Sequence, residues 1–294
     1  MALLPPFMLD AVTAIGVGDD ETKRVWIGTG FLYGHFDKKL DETTKSYNVF
    51  LVTNKHVLKG KKRIYLKFNS ANDPTSKDYA VDLVSRNGKD RWVGHIEPKV
   101  DVAVLPVNAN ALKEELMKYA FIQSDAHVSS VAAMKTLGVT EGARVFVLGF
   151  PMGLVDKVRQ YVICRAGCIA RIRDLLEGIT KDFMVDATVF PGNSGGPVVL
   201  QPEIAAITGT TAITKADLIG VVKSYVPYHD VAISQQTGNP RVVFEENSGL
   251  AAVEPVDHIT QTIELALKRQ KNRLAYSKWK AKKQVAGTPS APSP

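Results

Sequence analysis

The sequence predicts an all-β protein: two packed antiparallel β-barrels in succession, followed by a C-terminal α-helix. Three observations predict it. Short apolar runs recur along most of the 294 residues, separated by polar and glycine-containing turns, which is the spacing of antiparallel strands. The runs fall into two sets of about a hundred residues each, enough for two small closed barrels. Beyond them, residues 256–276 place Ile259, Ile263, Ala266, Leu267 and Leu274 in a helical apolar stripe.

In chain order, the first set comprises the runs 11–17, 25–33, 47–53, 63–68 and 79–84. A helical segment over 109–119 and a polar stretch lead to the second set, which opens with 130–137 and the turn Val139-Thr140-Glu141-Gly142. It continues with 144–150, 160–171, 182–189, 198–200 and 218–225, and residues 230–234 and 241–246 read as an added hairpin joined through Gly238-Asn239-Pro240. Units are accordingly expected at 1–120, 121–255 and 256–286, with a Pro/Ser/Gly/Ala-rich disordered tail at 287–294.

Hydrophobic content of 45% and charged content of 23% are ordinary for a soluble globular chain, and no apolar run reaches the length of a membrane span. The start of the chain has no basic segment and is interrupted by Pro5 and Pro6, so it makes a poor signal peptide. Cys164 and Cys168 lie on one face of a strand, too far apart to bridge, and read as buried thiols of a cytoplasmic protein. The net charge of +7 is local: residues 268–283 hold eight Lys and Arg and no acid, which leaves 29 basic against 30 acidic residues elsewhere. An anionic partner, nucleic acid or surface, would therefore meet the basic helix; a solvated face or a protein-docking face explains the same charge. No cofactor is implied, and no His/Cys spacing suits a metal.

Three stretches carry chemistry. Pro191-Gly192-Asn193-Ser194-Gly195-Gly196-Pro197 sets one serine among three glycines, where the backbone can turn sharply and bring N–H groups close to another atom. A hydroxyl on such a turn suits a nucleophile with an oxyanion hole, although a plain tight turn has the same composition. His56 follows the buried-strand run 49–53, where a general base would be well placed; a satisfied or solvent-facing histidine is the bland alternative. Asp101 opens an apolar strand, where its carboxylate could orient an imidazole or merely start a turn.

The order His56, Asp101, Ser194, with separations of 45 and 93 residues, resembles the chymotrypsin-fold serine peptidases. Their protease domain of the high-temperature-requirement (Deg-type) branch is similar through Gly28-Thr29-Gly30-Phe31, Val52-Thr53-Asn54-Lys55-His56-Val57 and Asp101-Val102-Ala103-Val104-Leu105. The similarity continues in Leu148-Gly149-Phe150-Pro151-Met152-Gly153-Leu154, Asp186-Ala187, the Ser194 turn and Gly249-Leu250-Ala251-Ala252, and covers roughly residues 10–257.

The resemblance implies a serine endopeptidase acting on a protein or peptide. His56, Asp101 and Ser194 would form the triad, and the N–H groups of Gly192 and Ser194 the oxyanion hole. Lys223, Ser224 and Tyr225 would be the edge to which substrate adds as a strand. Thr188, Val189, Leu250 and Ala251 would line the pocket for the residue before the cut, with small or medium apolar side chains preferred.

The chain departs from the family in two respects. Asn193 replaces the acid that would pair with a freed amino terminus, which argues against activation by cleavage, and the residues after 257 are expected to form a helix and a basic tail in place of a PDZ module. The added hairpin is expected to gate the site, with a partner protein or ligand switching activity on. The competing expectation is a protease-like module that binds a peptide or partner protein without turnover.

Overall fold

The computed structural model describes residues 3–203 and 208–286; the side chains of Leu274 and of 276–286 lie outside that description. The first unit contains α1 (Pro6–Asp10), β1 (Val12–Val17), β2 (Val25–Lys39), β3 (Lys45–Thr53), α2 (Lys55–Leu58), β4 (Arg63–Ser70), β5 (Ser76–Asp82), β6 (Val93–Gly94), β7 (Ala103–Pro106), α3 (Ala109–Glu114), β8 (Met117–Lys118) and β9 (Ile122–Gln123). They form a nine-stranded sheet in the order β5-β4-β1-β2-β3-β7-β6, with β8 on β4 and β9 parallel to β2.

The second unit contains α4 (Val131–Thr136), β10 (Arg144–Gly149), β11 (Ile163–Arg171), α5 (Arg173–Leu176), β12 (Phe183–Asp186), β13 (Pro197–Leu200), β14 (Leu218–Ile233) and β15 (Pro240–Pro255), and α6 (Val256–Ala286) follows. Its six strands close into a barrel in the order β10-β11-β12-β15-β14-β13.

Alternation along the strands explains why the runs read as continuously apolar. On β1, β2 and β3, Ile15, Leu32 and Leu51 fill the first unit's own core, while Val12, Phe31, Tyr33, Phe50 and Val52 point into a cluster shared between the units. On β10 and β13, Val145, Val147, Val198 and Leu200 fill the barrel, and Leu148 and Val199 join the shared cluster. Both faces of these strands are buried, so period two is hidden behind a solid apolar run. The helix α6 belongs to the same layer: Ile259, Ile263 and Ala266 are buried in the shared cluster and lay its first turns across both units.

Local expectations change in four places. Residues 130–137 are a helix, α4, not a strand, because the Ser130 hydroxyl caps it by accepting from Ala133 N at 3.2 Å and the segment is rich in good helix formers. The helix expected over 109–119 stops at Glu114, and the chain reverses at Leu116 with φ at 58°. The added hairpin is not a separate element: 230–233 and 241–246 are the outer ends of β14 and β15, each 16 residues long and paired along their length with three register shifts. The cysteines are unbridged as expected, but Cys164 is exposed and Cys168 half-buried, so neither is a core thiol.

The expected basic helix is present as far as its backbone, which stays helical to Ala286. Lys268, Arg269, Lys271 and Arg273 are exposed, and Arg269 and Arg273 flank a cleft with Asp90 and Trp92 of the first unit. Lys278, Lys280, Lys282 and Lys283, like the Leu274 member of the stripe and the tail at 287–294, fall outside the described side chains or residues.

Candidate active site

His56 stands in the one-turn helix α2, which begins where β3 ends, and Asp101 lies two residues before β7. Strands β3 and β7 are antiparallel neighbours with Thr53 opposite Ala103, so the pairing itself carries the two side chains to one end of the sheet. There His56 Nδ1 lies 2.5 Å from Asp101 Oδ2, and His56 N donates to Asp101 Oδ1 at 3.2 Å. Burial would raise the Asp101 carboxyl, but the hydrogen bonds and charge of His56 outweigh it and hold the carboxyl below its ordinary range. The Nδ1–carboxylate contact leaves Nε2 as the imidazole nitrogen available to a reacting group.

Asp101 is fixed from behind as well. Asn54 Nδ2 donates to its carbonyl at 2.6 Å, and its own N–H donates to Glu254 Oε1 at 2.9 Å. Glu254 is fully buried and also contacts Lys223 Nζ at 3.0 Å and His258 Nδ1 at 2.8 Å. Lys223 makes a second ion pair with Asp182 at 3.0 Å. Burial acts to lower the Lys223 ammonium, yet the two carboxylates outweigh it and raise it. For Glu254 burial acts upward, and His258, the Asp101 N–H and Lys223 outweigh it and hold the carboxyl low.

The Ser194 turn is wedged between the two units. Thr29 N donates to Ser194 O at 2.9 Å, and Thr29 Oγ1 donates to Gly192 O at 2.6 Å while accepting from Phe150 N at 3.1 Å. Gly192 and Gly195 adopt φ of 100° and 87°. A Cβ on Gly195 would sit 2.1 Å from Thr29 O, and one on Gly192 would sit 2.3 Å from Phe150 O. Only glycine fits these two places. A Cβ on Gly28 would meet Val57 at 3.0 Å and Ser194 O at 3.4 Å, so the same glycine lets α2 and the serine turn close on β2.

Asn193, fully buried, is only half satisfied: its Oδ1 accepts from Phe190 N at 3.1 Å, while its Nδ2 has no partner among the described residues. Among the described residues, the N–H groups of Gly192 and Ser194 donate to no protein acceptor. The Ser194 hydroxyl donates to Lys223 O at 3.4 Å, and no hydrogen bond joins it to His56.

The structure thus brings His56, Asp101, Ser194, Gly192 and Lys223 to one locality. Ser224 is exposed and Tyr225 half-buried further along β14. Val189 and Ala251 are buried among the barrel's core residues, Thr188 is exposed and Leu250 half-buried, next to the β12–β15 ladder. Sequence reading missed Glu254, His258, Asn54 and the part played by Thr29. For Glu254 a signal was present: a lone acid inside the apolar run 250–256 needs a buried partner. Among the described residues no group of three His, Cys, Asp or Glu side chains is placed to hold a metal ion.

A family model described as a trypsin-like peptidase domain matches residues 28–203, a span that includes His56, Asp101 and Ser194. No curated protein matches the chain.

Proposed function

The chain belongs to the trypsin-like peptidase domain family, and on that premise we propose that it is a serine endopeptidase using Ser194, His56 and Asp101. One observation carries the reading. A serine on a glycine turn, with two unengaged N–H groups beside it, shares its locality with an imidazole already held by a carboxylate at 2.5 Å.

In that reading His56 Nε2 takes the proton from Ser194 Oγ as the Oγ–carbon bond forms to the scissile carbonyl. The N–H groups of Gly192 and Ser194 receive the oxyanion. Collapse breaks the carbon–nitrogen bond, His56 protonates the leaving amine, and water hydrolyses the acyl-enzyme by the same route. Asp101 keeps the imidazole in the required tautomer. Lys223, Ser224 and Tyr225 provide the backbone edge for the substrate. Within the family, the motifs around His56, Asp101 and Ser194 favour the high-temperature-requirement branch, as an intracellular, regulated enzyme.

A second reading has one observation of its own. The Ser194 hydroxyl bonds to Lys223 O rather than to His56, as in a resting enzyme or a catalytically silent binding module. Fluorophosphonate labelling of the wild type beside Ser194→Ala, followed by a peptide-library digest, separates the readings. Labelling at Ser194 with cleavage supports the peptidase. Absence of both, in protein that still binds peptide, supports the silent module.

A further inference from the structure

Strand β14 continues well past the barrel. Strand β13 occupies one of its edges only as far as Val221, opposite Pro197, and the serine turn follows with Gly195 N donating to Val222 O. From Lys223 to Ile233 that edge has no strand beside it among the described residues. The other edge remains paired with β15, from Tyr225 opposite Ala251 to Ile233 opposite Pro240. The open edge begins at the carbonyl that lies 3.4 Å from Ser194 Oγ and runs roughly 33 Å outward at ~3.3 Å per residue.

A long open edge presents a row of backbone donors and acceptors to any extended chain. Natural edges are usually blunted by shortness, lysine or proline; here Pro227 alone lacks an N–H. Apolar side chains stand on both faces of the ribbon, interspersed with His229, Asp230, Glu245 and Glu246. Val231 lies opposite Val243 on one, and Tyr228, Val242 and Phe244 share the other. These residues are 41–60% exposed. A two-stranded ribbon is marginal in water by itself, whereas a third strand would satisfy its edge and cover apolar groups on both faces.

We propose that the β14 edge from Lys223 to Ile233 is an extended substrate track, which takes the residues preceding the scissile bond as an added antiparallel strand. The favoured substrate is then a protein segment with roughly ten extended residues before the cut, rich in β-branched and apolar side chains. The direction of the track rests on the serine-peptidase reading, because Ser194 marks its reacting end. A strand ending at Ser194 and starting near Ile233 runs antiparallel to β14, the orientation that a growing antiparallel sheet requires.

The test uses the full chain carrying Ser194→Ala and two fluorescein-labelled peptides. One is a decapeptide of alternating threonine and valine that ends in alanine; the other is its C-terminal tetrapeptide. Binding is followed by fluorescence anisotropy. The decapeptide is expected to bind at least tenfold tighter than the tetrapeptide. Replacing residues 228–245 by Asn-Gly is expected to abolish that difference, and Val231→Lys with Ile233→Lys, which leaves the ribbon intact, to reduce it severalfold.

Equal binding of the two peptides, or an advantage unaffected by both ribbon variants, overturns the proposal. So does a wild-type dimer that separates on ribbon shortening without change in peptide binding, since the edge would then belong to a second copy. Fluorophosphonate labelling of the ribbon variants with Ser194 restored reports separately on the reacting centre. A length-dependent track in a protein that never labels would leave the track standing and assign the reacting centre to a resting enzyme or a silent module.

Discussion

Glu254 Oε1 accepts the backbone N–H of Asp101 at 2.9 Å, so the residue whose carboxylate holds His56 is itself held through its backbone by a buried acid from the other unit. The same glutamate pairs with Lys223 at the head of the open β14 edge and with His258 of α6. One side chain therefore joins the imidazole partner, the proposed substrate edge and the C-terminal helix. Glu254→Gln keeps the shape, removes the charge and leaves Lys223 and His258 facing a neutral amide. Breaking a buried ion pair costs about 3–5 kcal/mol, and the conservative variant should fall at the low end of that range. Chemical denaturation would measure the loss, and a fall in turnover larger than the fall in peptide affinity would mark Glu254 as a positioning residue.

Thr29→Val removes the hydroxyl that donates to Gly192 O at 2.6 Å and accepts from Phe150 N at 3.1 Å, with almost no change of volume. The strand pairing of β2 survives, so the global fold is expected to persist with a loss of about 1–3 kcal/mol for the unpaired buried groups. The loop carrying the proposed oxyanion donors loses its anchor. Loss of one such donor costs about a hundredfold or more, and a loosened pair is expected to slow fluorophosphonate labelling by about tenfold. Labelling at the wild-type rate would show that the loop needs no clamp from β2.

Gly195→Ala places a Cβ at 2.1 Å from Thr29 O, at a φ of 87°. The backbone strain alone costs about 1–3 kcal/mol, and the collision adds to it. The expected result is a lower melting temperature together with loss of Ser194 labelling. By contrast, Gly60→Ala, where no atom lies within 4 Å of the added Cβ, should show only the positive-φ cost and keep labelling.

Acid should weaken the fold through Asp101 and Glu254. Both carboxyls are held below their ordinary values in the folded chain, so each contributes stability above its unfolded pKa and loses it as pH falls through its lowered folded value. The stability plateau therefore lies above the ordinary carboxylate range and declines below about pH 4. Denaturation midpoints measured from pH 7 to pH 3 should show a shallower decline in Glu254→Gln than in the wild type. Equal declines would mean that Glu254 is not titrating with folding.

Much of the architecture is determined by the sequence by itself. The apolar runs and glycine turns specify β strands in two sets, and the stripe Ile259, Ile263 and Ala266 specifies the helix that seals them. The serine turn is also written locally, because only glycine tolerates the φ of residues 192 and 195 and the close approach of Thr29 O and Phe150 O. Local signals misled where a cap outweighed a pattern, as at Ser130, and where a strand simply continued, as in β14 and β15.

Only the tertiary structure decided the contacts between segments far apart in the chain. The 2.5 Å meeting of His56 with Asp101 follows from β3 pairing with β7, and the 45 residues of separation carry no local trace of it. Glu254 reads as one acid in an apolar strand until Asp101 N–H, Lys223 and His258 converge on it. The open edge beyond Lys223 likewise depends on where β13 ends, a property of the barrel and not of residues 223–233. Backbone conformation responds to near neighbours along the chain, whereas buried charge and free strand edges are settled by which distant segments pack together.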